Sequence, residues 1–298
     1  MKYTNSKLFQ FQLLIQIILL FLCFAFDFSD QIQALSCGVL LCTLGVPHGS
    51  NDYLYRKDLS KEGMVRFIIL YLGAMVIFIG MWMVLPSVAL ILFFFISFHH
   101  FGQSNFENSK INYLPSLLWG IWILMFPLLL HFNEALQIFR EMIPFFAGSE
   151  TPTALQNDLK STFNPWQIIA TFILGASYLI SLVIFEKKNF INYIVQFFAV
   201  TLWYVITPLL FGFIVVFCLW HSLQSLQHQS IYFKKSLNGK NLQFTKSMIP
   251  FSLIAILIFI LYVHFNGFKI GEAFVLLSII TLPHVVVMHR LYENQSSQ

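Results

Sequence analysis

Residues 208–233 read PLLFGFIVVFCLWHSLQSLQHQSIYF. No charge interrupts this stretch, and it is long enough to cross a bilayer, for which a helix needs about 20 residues. Two imidazoles and three glutamines nevertheless sit in its second half. Polar side chains inside a membrane helix are costly unless partnered. The segment therefore points to a membrane-embedded chain whose interior is matched to histidine. His221 and His228, seven apart, fall nearly on one helical face with Ser225 between them. Gln224, Gln227 and Gln229 have a plainer reading as a polar helix–helix seam.

The rest of the chain agrees with this class. Of 298 residues, 58% are hydrophobic and 10% charged, against about 25% charged in an ordinary soluble domain. Mean hydropathy is +0.75. The net charge of +4 comes from short basic loops, so nucleic acid is not an expected partner. The four cysteines lie in apolar runs without a CxxC pair and read as small buried hydrophobes. No small-residue cleavage site follows the first apolar run, which reads as a retained helix.

Ten apolar segments can be marked, at 8–27, 32–47, 65–85, 87–101, 113–131, 166–185, 190–206, 208–233, 247–265 and 270–290. The expected architecture is an all-α polytopic bundle of about 8–10 transmembrane helices, some short or broken, forming a single domain over residues 1–298. The second and fourth segments are the shortest, and both end at a histidine motif, as helices do that stop inside a protein around a site. With the N-terminus inside and every segment crossing, fourteen of the 17 lysines and arginines fall on the inner side. That bias predicts a multi-pass protein of the inner (plasma) membrane with both termini cytoplasmic. The stretch 132–165 is mildly acidic and partly amphipathic, which suits the outer membrane surface.

In this topology seven of the nine histidines come to similar depth. His48 lies in GVPHGSND, where proline and glycine break the helix. Asp52, four residues on, shares a face with His48 on a helical turn and is placed to accept its second N–H. In SFHHFGQSN, His99 and His100 point about 100° apart on a helix. His100 is the expected ligand, and His99 a supporting residue beside it. In LPHVVVMHR, Pro283 precedes His284, a further ligand candidate, while His289 beside Arg290 reads as interfacial. His131 and His264 fall at the opposite ends of their helices and read as polar caps. All-imidazole ligation suits iron, copper or zinc. The many aromatic residues mostly face lipid, but Phe213, Phe217 and Trp220, just before His221, are candidates for the wall of an apolar substrate passage, with Tyr204 nearby.

At these residues the chain resembles the Brp/Blh family, the bacteriorhodopsin-related membrane β-carotene 15,15'-dioxygenases of bacteria and archaea. The matching pieces are PHGSND (47–52), HFGQSN (100–105), the Trp203–Tyr204 pair leading into the WHS of the eighth segment, and LPH at 282–284. The resemblance implies a membrane enzyme with histidine-bound Fe(2+). Such an enzyme splits the central double bond of β-carotene with O₂ into two molecules of all-trans-retinal, typically for a microbial rhodopsin. By position His48, His100 and His221 match the family's metal histidines. The family's fourth histidine lies four residues after the third, where this chain has Ser225, so His228 or His284 must complete the set. Geometry favours His284, because seven helical residues separate His221 from His228 by about 10 Å. The family's acidic residue after HFG is replaced by Asn105, which with Asp52 and His99 is expected beside the ligands. The alternatives are another membrane non-haem iron oxygenase acting on a lipid or carotenoid, a bis-histidine haem protein, and a metal-ion transporter. The chain lacks the HxxxH and HxxHH clusters of di-iron desaturases and the acidic path of a transporter.

Overall fold

A computed structural model describes residues 6–26, 28–55, 60–106, 113–142, 164–236, 239–267 and 270–296. Helices α1 (Ser6–Ala25), α2 (Asp30–Leu40), α3 (Lys61–Val84), α4 (Pro86–Phe106) and α5 (Leu114–Leu130) come first. They are followed by α6 (Phe132–Met142), α7 (Pro165–Phe185), α8 (Phe190–Ile206), α9 (Leu209–Val216), α10 (Leu223–Ser236), α11 (Asn241–Asn266) and α12 (Ile270–Ser296). Each of the ten predicted apolar segments is occupied by helix, with α9 and α10 sharing the eighth. Among the described residues, 8 helices are long and apolar enough to cross a membrane, or 9 if the bent pair α5–α6 counts as one span. The chain is an all-α polytopic bundle.

The tightest seam joins α4 to α5. A Cβ added at Gly102 would stand 1.9 Å from the Ser116 carbonyl oxygen, and one at Gly120 would stand 1.8 Å from that of Phe98. Glycine here lets two backbones touch, as small residues do between membrane helices. This overturns one expectation: α4 does not stop at HHFG but runs on to Phe106. Gly102 serves close approach, not termination. Trp119, Trp122, Tyr178, Phe197 and Trp203 fill the space behind this seam. Cys37 and Cys218 are buried as expected, whereas Cys42 is exposed.

The amphipathic helix α6 turns by 102° from α5 and lies across the end of the bundle. There its acids cap other helices: Glu134 accepts from Leu209 N (3.2 Å) at the start of α9, and Glu141 from Gly271 N (2.9 Å) at the start of α12. Carboxylates at helix N-termini satisfy orphan N–H groups and complement the helix dipole. His131, at the α5–α6 corner, sits 3.0 Å from the Tyr204 carbonyl and 3.4 Å from Glu134, the capping role its position suggested. The remainder of the stretch 132–165, residues 143–163, lies outside the described residues.

Two interruptions matter most. α2 passes into a π segment (Leu41–Gly45) and a 3-10 turn (Pro47–Gly49), and α9 joins α10 through a second π segment (Phe217–Ser222). A π turn inserts one residue and shifts the register of the helix beyond it. Here the two insertions face each other, with Phe217 against Gly45. The α4–α5 seam gives a direct test. Gly120→Ala should cost about 1–3 kcal/mol through overpacking, read as a drop in thermal stability in detergent. Gly80→Ala, with nothing within 4 Å of the added methyl, should be neutral or slightly stabilising.

Candidate metal centre

Four imidazoles close into a ring of neighbours. Centroid separations are 5.4 Å for His48–His221, 4.6 Å for His221–His100, 5.0 Å for His100–His284 and 4.8 Å for His284–His48. The potential ligand nitrogens of His48, His100 and His221 all lie within 4.8 Å of one another, and the His284 ring stands edge-on to both His48 and His100. Every one of the four is buried, with at most 7% exposure.

The hydrogen bonds fix which nitrogen faces inward. His48 Nδ1 meets the Gly45 carbonyl, which can only accept, so Nδ1 carries the proton. His284 Nδ1 lies 2.8 and 3.0 Å from the two oxygens of Asp52, again acceptors. The Ser104 hydroxyl spends its single proton on the Phe101 carbonyl at 2.9 Å, so it must accept from His221 Nδ1 at 3.0 Å. Three rings are thus held as the Nδ1–H tautomer with an Nε2 lone pair directed away from these partners. Nε2 of His221 and of His284 is buried without a hydrogen-bond partner, and so are both nitrogens of His100. One nitrogen of a neutral His100 carries a proton, and the buried lone pairs left without a partner in the surrounding chain suit a positive centre. This donor set fits a first-row transition ion or zinc.

Each ring is held from behind. Phe101 stacks on His221 at 4.2 Å and 15°, and Phe217 covers it at 5.6 Å and 23°. Gln229 on α10 donates to the His48 carbonyl (2.6 Å) and to Ser225 (3.1 Å). Ser50 meets Ser252 of α11 at 2.8 Å, anchoring the 3-10 turn. Tyr71 on α3 donates to Asp52 Oδ2 at 3.0 Å, giving a Tyr71–Asp52–His284 chain. Asp52 therefore supports His284, where the sequence suggested His48. The cause is local: with Pro47 in the 3-10 turn, the i,i+4 relation of a regular helix is lost, and His48 finds the Gly45 carbonyl instead.

Of the other expected site residues, Phe217 packs on the ring of four, while His228, His99, Asn105, Trp220 and Tyr204 are engaged with other partners. His228 Nδ1 pairs with Tyr292 at 3.0 Å. His99 turns to His289, with nitrogens 3.3 Å apart. Asn105 Oδ1 accepts from Gln196 (2.8 Å) and Gln224 (3.1 Å). Phe217 touches His48 and His221 and stacks on Phe213, which in turn meets Phe274 of α12 at 5.7 Å. Trp220 faces away, donating to Gln16 and packing on Phe9, and the Tyr204 hydroxyl donates to the Ile123 carbonyl.

Sequence reasoning passed over α1. Gln12 donates to the Leu219 carbonyl at 2.6 Å, inside the π segment that carries His221. Gln16 accepts from Trp220 Nε1 and donates to the Ala199 carbonyl at 2.9 Å. Gln12 and Gln16, one turn apart in the apolar stretch beyond Gln10, were the available signal. Gln16→Leu should leave the buried Trp220 N–H unpaired, at about 1–3 kcal/mol. Adding Trp220→Phe should return much of that cost. A double-mutant cycle by thermal unfolding checks this, and strict additivity would show that the bond contributes nothing.

The comparisons with known proteins point the same way. The family described as beta-carotene 15,15'-dioxygenase matches residues 39–292. A beta-carotene 15,15'-dioxygenase from uncultured marine bacterium 66A03 is 23% identical over 278 residues, covering 87% of this chain and 94% of that one. No solved structure matches. His48, His100, His221 and His284 all lie inside the matched region, and the chain belongs to the beta-carotene 15,15'-dioxygenase family of carotenoid-cleaving oxidoreductases.

Proposed function

We propose that this protein splits the central double bond of β-carotene with O₂ to give two molecules of all-trans-retinal, using an Fe(2+) ion held by His48, His100, His221 and His284. The observation that carries the reading is the ring of four imidazoles, three of them locked with Nε2 lone pairs turned inward, inside a chain of this family. Bound there, iron would supply the one-electron chemistry that lets O₂ react with a closed-shell polyene. Asp52 and Tyr71 orient the His284 ring, while Phe101 and Phe217 hold His221 and keep water from it.

The overall reaction balances without protons: one C=C becomes two C=O, and both oxygen atoms enter the products. No side chain is needed as acid or base, and the carboxylate that touches the rings is already shared by His284 and Tyr71. The substrate is a hydrocarbon dissolved in the bilayer, and O₂ also partitions there. Phe217 and Phe213, leading from the rings toward Phe274, form the apolar wall of its approach. Residues 1–298 act as one membrane domain, with both termini cytoplasmic in the inner membrane, in keeping with the positive-inside charge bias. Retinal is the chromophore of microbial rhodopsins, so an opsin is the partner suited to consume the product.

Expression in bacteria that accumulate β-carotene should bleach the cells and yield retinal. Colour loss with shorter or longer apocarotenals would move the cleavage site, and unchanged carotene would refute the activity. Replacing His48, His100 or His221 singly by Ala should abolish turnover while the protein still inserts.

The fourth position separates two residues. His284→Ala should lose bound iron, whereas His228→Ala, whose ring pairs with Tyr292, should keep it. Asp52→Asn should weaken metal affinity by about 10–100-fold, measured by metal titration of purified protein. Full affinity in that variant would detach the Tyr71–Asp52 chain from the site.

A further inference from the structure

A second group of nitrogen and oxygen atoms lies beside the first, on another face of α4. His99 Nε2 stands 3.3 Å from His289 Nδ1 on α12. Gln103, one turn along α4 from His99, brings its side-chain nitrogen to 3.1 Å from the same His289 nitrogen. On the far side of that ring, His289 Nε2 is 3.4 Å from Glu293 Oε1. Glu293 faces that ring edge at ion-pair distance, which favours the tautomer with the proton on Nε2 and the lone pair on Nδ1. Two N–H groups then compete for one lone pair. Meanwhile the Gln103 side-chain oxygen is buried without a hydrogen-bond partner, on a side chain with 0% exposure.

A cation among these atoms, with the amide turned over, answers both faults. The two orientations of a glutamine amide are nearly isosteric, and turning Gln103 over places its oxygen where the nitrogen stands. With His99 in the tautomer that frees Nε2, the lone pairs of His99 and of the turned amide oxygen both lie beside that of His289 Nδ1. The observed separations of 3.1 and 3.3 Å are close to two edges of a coordination polyhedron, since metal–ligand bonds of about 2.0–2.1 Å in tetrahedral geometry set neighbouring donors roughly 3.3–3.4 Å apart. The Glu293–His289 pair supplies the carboxylate–histidine support that zinc sites commonly carry.

We propose that His99, His289 and Gln103 form a second cation site, selective for a borderline divalent ion of the Zn²⁺ type, with Glu293 orienting the His289 ring. Unlike the four sealed imidazoles, this site lies partly open at the surface of the bundle: the His289 and Glu293 side chains are 27% and 57% exposed. It exchanges ions without opening the bundle. An ion bound there ties α4 to α12, the helices that present His100 and His284.

The test uses the full-length protein as purified in detergent, titrated with Zn²⁺ against a fluorescent zinc indicator. The metal already present is counted in the same samples, so that exchange at the four rings is read separately. Wild type should take up one further Zn²⁺. His289→Ala and Gln103→Leu should weaken that uptake by at least about tenfold, and Glu293→Gln by less. Absence of the extra equivalent in wild type, or its persistence in His289→Ala, would overturn the proposal. Should His289→Ala fail to fold, Cu²⁺ added to wild type provides the second measurement. Its paramagnetic resonance should show coupling to two imidazoles at the added site, and coupling to one or none would sink the idea.

Discussion

Everything in this bundle answers to one constraint, the placement of imidazole lone pairs where no hydrogen-bond donor can reach them. In an apolar interior an unpaired acceptor costs on the order of 1–3 kcal/mol, and four rings gather at one place. The surrounding chain does not relieve that cost. It enforces it, by engaging the opposite nitrogen of three rings with a backbone carbonyl, a carboxylate and a hydroxyl. The partners come from three different stretches, Gly45 and Asp52 around the broken end of α2 and Ser104 on α4. Their agreement on one tautomer is a property of the assembled fold.

Irregular backbone at membrane depth is tolerated only where its polar groups are met by protein, and the π segment Phe217–Ser222 and the 3-10 turn Pro47–Gly49 obey this. The Leu219 carbonyl is taken by Gln12 from α1, and the His48 carbonyl by Gln229 from α10. These glutamines are neither decoration nor a generic polar seam; each answers a particular carbonyl. The same accounting holds at the other end of the bundle, where Glu134 and Glu141 of α6 cap α9 and α12.

Hydropathy and the spacing of apolar residues made the helical segments legible, because a bilayer demands long runs of them. The family resemblance and shared depth likewise singled out His48, His100 and His221 and left His228 or His284 as the fourth, with helical rise favouring His284; the structure brings the first three together with His284. Side-chain partnerships were not legible in the same way. Asp52 was matched to His48 by helical spacing, yet the 3-10 turn at Pro47 hands it to His284. Gly102 looked like a terminator and is a contact surface, since sequence does not distinguish a glycine that ends a helix from one that admits a neighbour. Trp220 lies on the π segment beside His221 but points to α1. A one-residue insertion reassigns every face after it, and nothing in composition announces where it falls.

The family match begins at residue 39, inside α2, whereas Gln12 and Gln16 lie well upstream on α1. The portion recognisable by descent and the portion that must assemble to stand up are therefore different portions. A protein engineer who trimmed this chain to its recognisable part would keep every histidine and discard the strut against which one of them is braced. Grafting the histidine motifs onto another scaffold would meet the same difficulty, because what travels with a motif is its lettering, and part of what positions it here is a helix outside the matched region.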